Sequence, residues 1–153
     1  MMTDKSASEE YVTAILGEQL FGVPISRVQD VFIPERVTRV PLAPPEIAGV
    51  LNLRGRVVTL VDLRKRLGLV ADQAKQALEM AIGVESRGES YGLLVDGVGE
   101  VLKLGAEQRE ANPINLDPAL ARVSAGIHRL EGQLLLVLDI DRVLDIAASM
   151  IAA

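Results

Sequence analysis

Two stretches of this chain recur in the same order, and that repetition limits the folds open to it more than any other feature. FGVPISRVQDV (21–31) aligns with YGLLVDGVGEV (91–101) at an offset of 70 residues. Gly22/Gly92, Val28/Val98 and Val31/Val101 are identical there, Phe21/Tyr91 are both aromatic, and Asp30/Glu100 are both acidic. GVLNLRGRVVTLVDLRKRL (49–67) aligns with GIHRLEGQLLLVLDIDRVL (126–144) at an offset of 77. Gly49/Gly126, Leu53/Leu130, Gly55/Gly132, Asp62/Asp139 and Leu67/Leu144 are identical in that pair. The seven extra residues fall in the middle loop of the second copy, around 103–122. Two matches in one order mark a duplicated β unit. Each copy holds about five short strands, which suits a pair of small closed or nearly closed barrels related by a pseudo-two-fold axis.

Within the second repeated stretch the local grammar is complete. Gly49–Leu53 and Arg56–Val61 read as apolar strands joined at Arg54-Gly55, where Gly55 supplies the positive φ of a short hairpin loop. Asp62 stands at the N-cap of a short helical turn, Asp62–Leu67, and Gly68 stands where a C′ glycine stops it. Elsewhere, 11–17 and 19–23 read as strands turning at Gly17-Glu18, Pro24–Val28 as a helical turn and Gln29–Ile33 as a strand. Pro41, Pro44 and Pro45 enforce an extended connection, and the PLAP within it reads as connecting loop rather than a polyproline-II ligand. Further strands are expected at 80–86, 90–95, 123–130 and 133–138, with Asp139–Ile146 as a closing helix. The expected organisation is a disordered tail over 1–10 and a domain over 11–146, with lobes near 11–76 and 77–146. A polar, helix-prone linker falls at Asp72–Leu78, and a C-terminal tail at 147–153.

Composition narrows the function. Apolar residues are 49 % of the chain, enough for a core, yet the longest run of large apolar residues, Leu134–Leu138, is too short to span a bilayer. The polar, acidic start lacks the apolar region of a signal peptide, and there is no cysteine, which fits a cytoplasmic protein. A net charge of −5 and only 3 % aromatics argue against nucleic acid as a partner. The charge is lopsided: residues 1–76 hold ten Lys/Arg against nine Asp/Glu, and 77–153 hold six against twelve. Such asymmetry suits a head-to-tail protein contact, and weak self-association is expected.

No catalytic or cofactor constellation is evident. The single histidine, His128, has Leu51 as its repeat mate and reads as a structural strand residue without triad partners. Asp62 and Asp139 are repeat mates, so each caps its own helix rather than forming an acid–base pair. No Walker A sequence is present, DGVGE (96–100) lacks the setting of a dinucleotide site, and no ligand cluster has metal spacing. Arg64, Lys65 and Arg66 form either a solvated helix face or a small electrostatic contact patch. Arg54 stands at the tip of an apolar hairpin, where its mate is Glu131. If the tip meets the acid of its own copy, the first copy gains an Arg54–Asp30 pair, whereas the second places Glu131 beside Glu100.

GVLNLRGRVVTLVDLRKRLGL (49–69) resembles the signature of the CheW family of chemotaxis coupling proteins, and FGVPISRVQDV, YGLLVDGVGEV and GIHRLEGQLLLVLDIDRVL fall where that family's other segments fall. The resemblance covers about 11–146; Thr59 stands where many members have proline. It implies a mainly β fold of two intertwined five-stranded SH3-like barrel lobes with short helices and an apolar groove between them. It implies a non-catalytic adaptor, without cofactor or metal, that links the cytoplasmic tip of chemoreceptors to the CheW-like regulatory domain of the histidine kinase CheA. Membrane arrays would then be reached only through receptors. Carried over to this chain, the receptor-facing residues are Val28, Asp30, Gly49, Arg54 and Val98. The kinase-facing ones are Leu51, Asn52, Arg56 and Val57, with Ile127 and Leu134 on the second hairpin. A CheW-like adaptor of a parallel sensory or pili-motility kinase pathway and a small-molecule-binding regulatory barrel are the alternatives.

Overall fold

The computed structural model describes residues 8–69 and 80–145. The expected linker at Asp72–Leu78, the tail residues 1–7 and the stretch from 146 onward lie outside the described residues. Among the described residues ten strands form two five-stranded sheets. In chain order the first five are β1 (Ser8–Leu16), β2 (Gln19–Pro24), β3 (Val28–Phe32), β4 (Ile47–Leu53) and β5 (Arg56–Asp62). The second five are β6 (Met80–Ser86), β7 (Glu89–Val95), β8 (Gly97–Gly105), β9 (Ser124–Leu130) and β10 (Gln133–Leu138). Short helices α1 (Leu63–Arg66), α2 (Pro118–Val123) and α3 (Ile140–Val143) complete the fold. Ser8–Glu10, expected in the tail, instead pair with Gly105, Leu104 and Lys103 as the start of β1.

Sheet I has the order β8-β1-β2-β10-β9 and sheet II the order β3-β6-β7-β5-β4. A shift of five strands converts one into the other. The duplication is therefore intertwined: each copy lends its first hairpin to the sheet built by the other copy's last three strands. The registers agree as well. Val137↔Gly22 in sheet I matches Leu60↔Gly92 in sheet II, both in parallel pairs. Loop segments reach back to the outer strands in the same way, through Thr38↔Val50 and Glu110↔Ile127. Between the sheets lies the main core, with Phe21, Val23, Ile82, Leu93, Val95, Leu136 and Leu138 among its buried members.

The caps expected from the sequence are present. Asp62 accepts from Lys65 N–H (3.1 Å) and Asp139 from Arg142 N–H (3.2 Å), so these carboxylates serve helix starts. Strand β8 and helix α2 were not expected. β8 begins in a glycine-bearing stretch and none of its residues is fully buried, which masks its alternation. α2 has Asp117 accepting from Ala119 N–H and Pro118 in its first turn, a start signal its six residues carry without a long periodic pattern.

Candidate functional site

Of the receptor-facing set expected from the sequence, Val28 and Val98 lie at the two points where the chain changes sheets, and Asp30 follows Val28 on β3. Residues Ile25–Arg27 carry the chain from β2 in sheet I to β3 in sheet II, and Asp96 alone carries it from β7 in sheet II to β8 in sheet I. Val28 opens β3 and Val98 is the second residue of β8. Both are partly buried against the one central core, and both sit at bulges, opposite Val84 and Ala14.

Asp30 lies on β3 with its carboxylate folded over Gly83 of β6; a Cβ at Gly83 would collide with its Oδ1. Glycine inside that strand is the signal for such a close approach. Arg54 reaches Asp30, as the repeat argument anticipates, but loosely. Its Nη1 is 3.9 Å from Oδ2, too long for a hydrogen bond, and its side chain is 80 % exposed. The fork is thus presented to solvent beside the acid rather than clamped on it. Arg54 also has φ 54°, next to Gly55 at φ 83°, so the turn is of the type with two positive φ values. Asn52 Oδ1 accepts from Gly55 N–H (2.8 Å) and ties the turn to the strand.

Gly49 has a different reason for its identity. At φ 154°, an added Cβ would lie 2.5 Å from Thr38 O and 2.7 Å from Val37 Cγ1. The loop that closes sheet II passes directly over it. Its mate Gly126 is crossed in the same way by Glu110 O at 2.8 Å. Gly49 therefore admits the loop, and no side chain there touches a partner.

The kinase-facing set divides by burial. Leu51 and Ile127 are 5 % and 1 % exposed and belong to the interior, which corrects their assignment as contact residues. Their strand alternation turns them inward. Asn52 and Arg56 are exposed, Val57 is 63 % and Leu134 36 % exposed, and these form the surface part of the two hairpins. Val57 and Leu134 are repeat mates, so each copy presents one aliphatic side chain at the same place.

The basic triplet also divides. Arg64 is buried and ion-paired with Asp96, and Arg66 donates to the carbonyls of Val143 (2.8 Å) and Arg142 (3.0 Å), closing α1 on the end of α3. Only Lys65 matches the solvated face. His128 is buried, as a structural strand residue should be, with its ring 5.6 Å from that of Tyr11. Burial, reinforced by the Arg109 charge and opposed by Glu9 and Glu110, holds its pKa below 6.5. Among the described residues there is no group of three or more His, Cys, Asp or Glu side chains able to hold a metal ion. No helix among them is long and apolar enough to cross a membrane.

Comparison with known proteins agrees with this geometry. The CheW-like domain family matches residues 10–148. The chemotaxis protein CheW of Klebsiella aerogenes is 30 % identical over 146 residues, spanning 94 % of this chain and 86 % of that protein. CheW of Thermotoga maritima is 28 % identical over 94 % of this chain and 93 % of its own length. The crystal structure of the scaffolding protein TtCheW from Thermoanaerobacter tengcongensis superposes with a TM-score of 0.76 at 29 % identity, covering 86 % of this chain and 89 % of that one. Duplicated sheets and a family match across the domain lead to one assignment: the chain belongs to the CheW-like family of chemotaxis adaptor and scaffold proteins.

Proposed function

We propose that this chain couples the cytoplasmic tip of chemoreceptors to the regulatory domain of the kinase CheA, as a non-catalytic adaptor in the cytoplasm recruited to receptor arrays. The observation that carries the receptor half is the asymmetry between the copies. Arg54 stands beside Asp30, two residues along β3 from Val28, whereas the equivalent positions of the second copy are Glu131 and Glu100. One chain thus offers one such oppositely charged site for a receptor. The surface hairpin residues Asn52, Arg56, Val57 and Leu134 are the proposed kinase contacts.

Arg54→Ala tests the receptor half. Alanine at this positive φ bears the same backbone strain as arginine, and an exposed side chain otherwise changes stability by no more than about 0.5 kcal/mol. The variant should keep its thermal midpoint and lose receptor-dependent kinase stimulation, with Arg54→Lys intermediate because an ammonium lacks the planar fork. Glu131→Ala should affect stimulation less. Full stimulation by a well-folded Arg54→Ala protein would remove Arg54 from the contact.

A further inference from the structure

The two crossovers between sheets are each fastened by an ion pair to the helix that follows a repeated hairpin, and the polarity of the two pairs is inverted. At the first, Arg27 on the crossover meets Asp141 of α3 (2.9 Å), donates to Glu85 O (3.0 Å), and Ser86 Oγ donates to the same Asp141 (2.9 Å). At the second, Asp96 on the crossover meets Arg64 of α1; its Oδ2 accepts from Gly17 N–H (2.7 Å), and its own N–H donates to Ile15 O (3.0 Å). Each fastening joins a crossover, a helix and the end of a lent hairpin. Their environments differ: the Arg64 and Asp96 side chains are 8 % and 19 % exposed, those of Arg27 and Asp141 30 % and 58 %.

We propose that Arg64 and Asp96 are positioning residues for the groove, setting where Val98 sits between the sheets. This rests on the receptor reading above. Asp96 is the one residue between β7 and β8, and Val98 follows two positions later, so the direction in which β8 leaves the crossover is set where Asp96 is held. A carboxylate held at once by a buried guanidinium and a hairpin N–H leaves that point little freedom. Neither Arg64 nor Asp96 needs to touch the receptor to act.

Asp96→Asn keeps the shape of the side chain and an acceptor for Gly17 while removing the charge. Two measurements on the full chain decide the matter: calorimetric binding of a soluble receptor cytoplasmic fragment and of the kinase regulatory domain, and methyl NMR of Val98 and Val28 in the unbound protein. Asp96→Asn should weaken the receptor fragment about tenfold, the scale of coupling carried through packed neighbours, and change kinase-domain binding less than about twofold. The Val98 methyl signals should move and those of Val28 stay. The swap Arg64→Asp with Asp96→Arg, which copies the polarity of the other crossover, should recover part of the receptor affinity.

Equal losses toward both partners, or unmoved Val98 signals, would overturn the positioning role. A wild-type chain that does not bind the receptor fragment would instead overturn the receptor reading, and the methyl signals would still judge the position of Val98.

Discussion

Inside their small interiors the two sheets solve one packing problem in different ways. Val58 and Leu135, Leu60 and Val137, Leu53 and Leu130 are repeat mates, and each pair places aliphatic carbon at the same point. The aromatic ring does not follow the repeat. In sheet I it is Tyr11, entering from β1, where a Cβ on Gly22 would lie 3.3 Å from the Tyr11 Cβ. In sheet II the β1-equivalent position is Ala81, and Phe32 enters from β3, its Cζ 3.2 Å from where a Gly92 Cβ would stand. Register has been kept while the strand that supplies the ring has changed. Sheet I also takes on polar groups in the exchange. Tyr11 O–H donates to the Glu9 carboxylate, and burial first, then that neighbour, raises its pKa to about 12. His128 stands where sheet II has Leu51, with Nε2 unpartnered among the described residues.

The strongest challenge to the equivalence of the sheets is at the two crossed glycines. Gly49→Ala meets rigid backbone and should lower stability by about 3 kcal/mol, through clash and left-handed strain together. Gly126→Ala meets a slightly more distant carbonyl and the flexible Arg109 side chain, so about 2 kcal/mol is expected. Urea denaturation of both variants decides whether the two closures are equally tight. The crossovers come next. Arg64→Ala strands a half-buried carboxylate and should destabilise by about 2 kcal/mol. Arg27→Ala opens a solvent-screened pair and should stay below about 1 kcal/mol. Similar losses would mean that burial does not separate the crossovers.

Smaller effects sharpen the interior comparison. His128→Leu copies sheet II and removes an unpaired buried nitrogen, so a gain of about 1 kcal/mol near neutral pH is expected. The folded state holds His128 below its ordinary 6.5, so the unfolded chain takes up the proton first as pH falls. The histidine's contribution is complete above pH 6.5 and is lost below it. Thermal midpoints between pH 7.5 and 5 should fall more steeply for the wild type than for His128→Leu, and parallel curves would show that His128 does not govern the slope. Last, Arg54→Gly should relieve the positive φ and gain about 0.5 kcal/mol, while Glu131→Gly, on a turn whose first residue lacks that conformation, should not.

Much of this was legible in the residues. β6 and β10 fall at their expected bounds because turn glycines punctuate them, Gly88 after β6 and Gly132 before β10, and Asp139 ends β10 by capping the next helix. The Arg54–Asp30 approach was readable from charges at equivalent positions. The burial of Arg64 was not, since a basic triplet on a short helix looks solvated until Asp96, 32 residues away, is brought to it by tertiary packing. Gly49 was legible as special but not for its reason: only the path of Val37 and Thr38 over it shows a steric demand. Which copy completes which sheet leaves no local trace, because a strand's alternation is the same whichever partner it finds.

The exchange of hairpins imposes an order on synthesis from the amino end. All five strands of sheet II lie between Val28 and Val95, so that sheet can close once β7 has left the ribosome. Sheet I cannot. Leu20 of β2 waits for Leu135 of β10; β8 can cover the β1 edge as soon as it emerges, but until β10 follows, the outer edge of β2 stays open. During that interval a neighbouring nascent chain offers the same acceptor strands at the same register. Newly made chains at high local density are therefore exposed to reciprocal donation of β1–β2, giving a swapped dimer that satisfies every strand while tying two adaptors together.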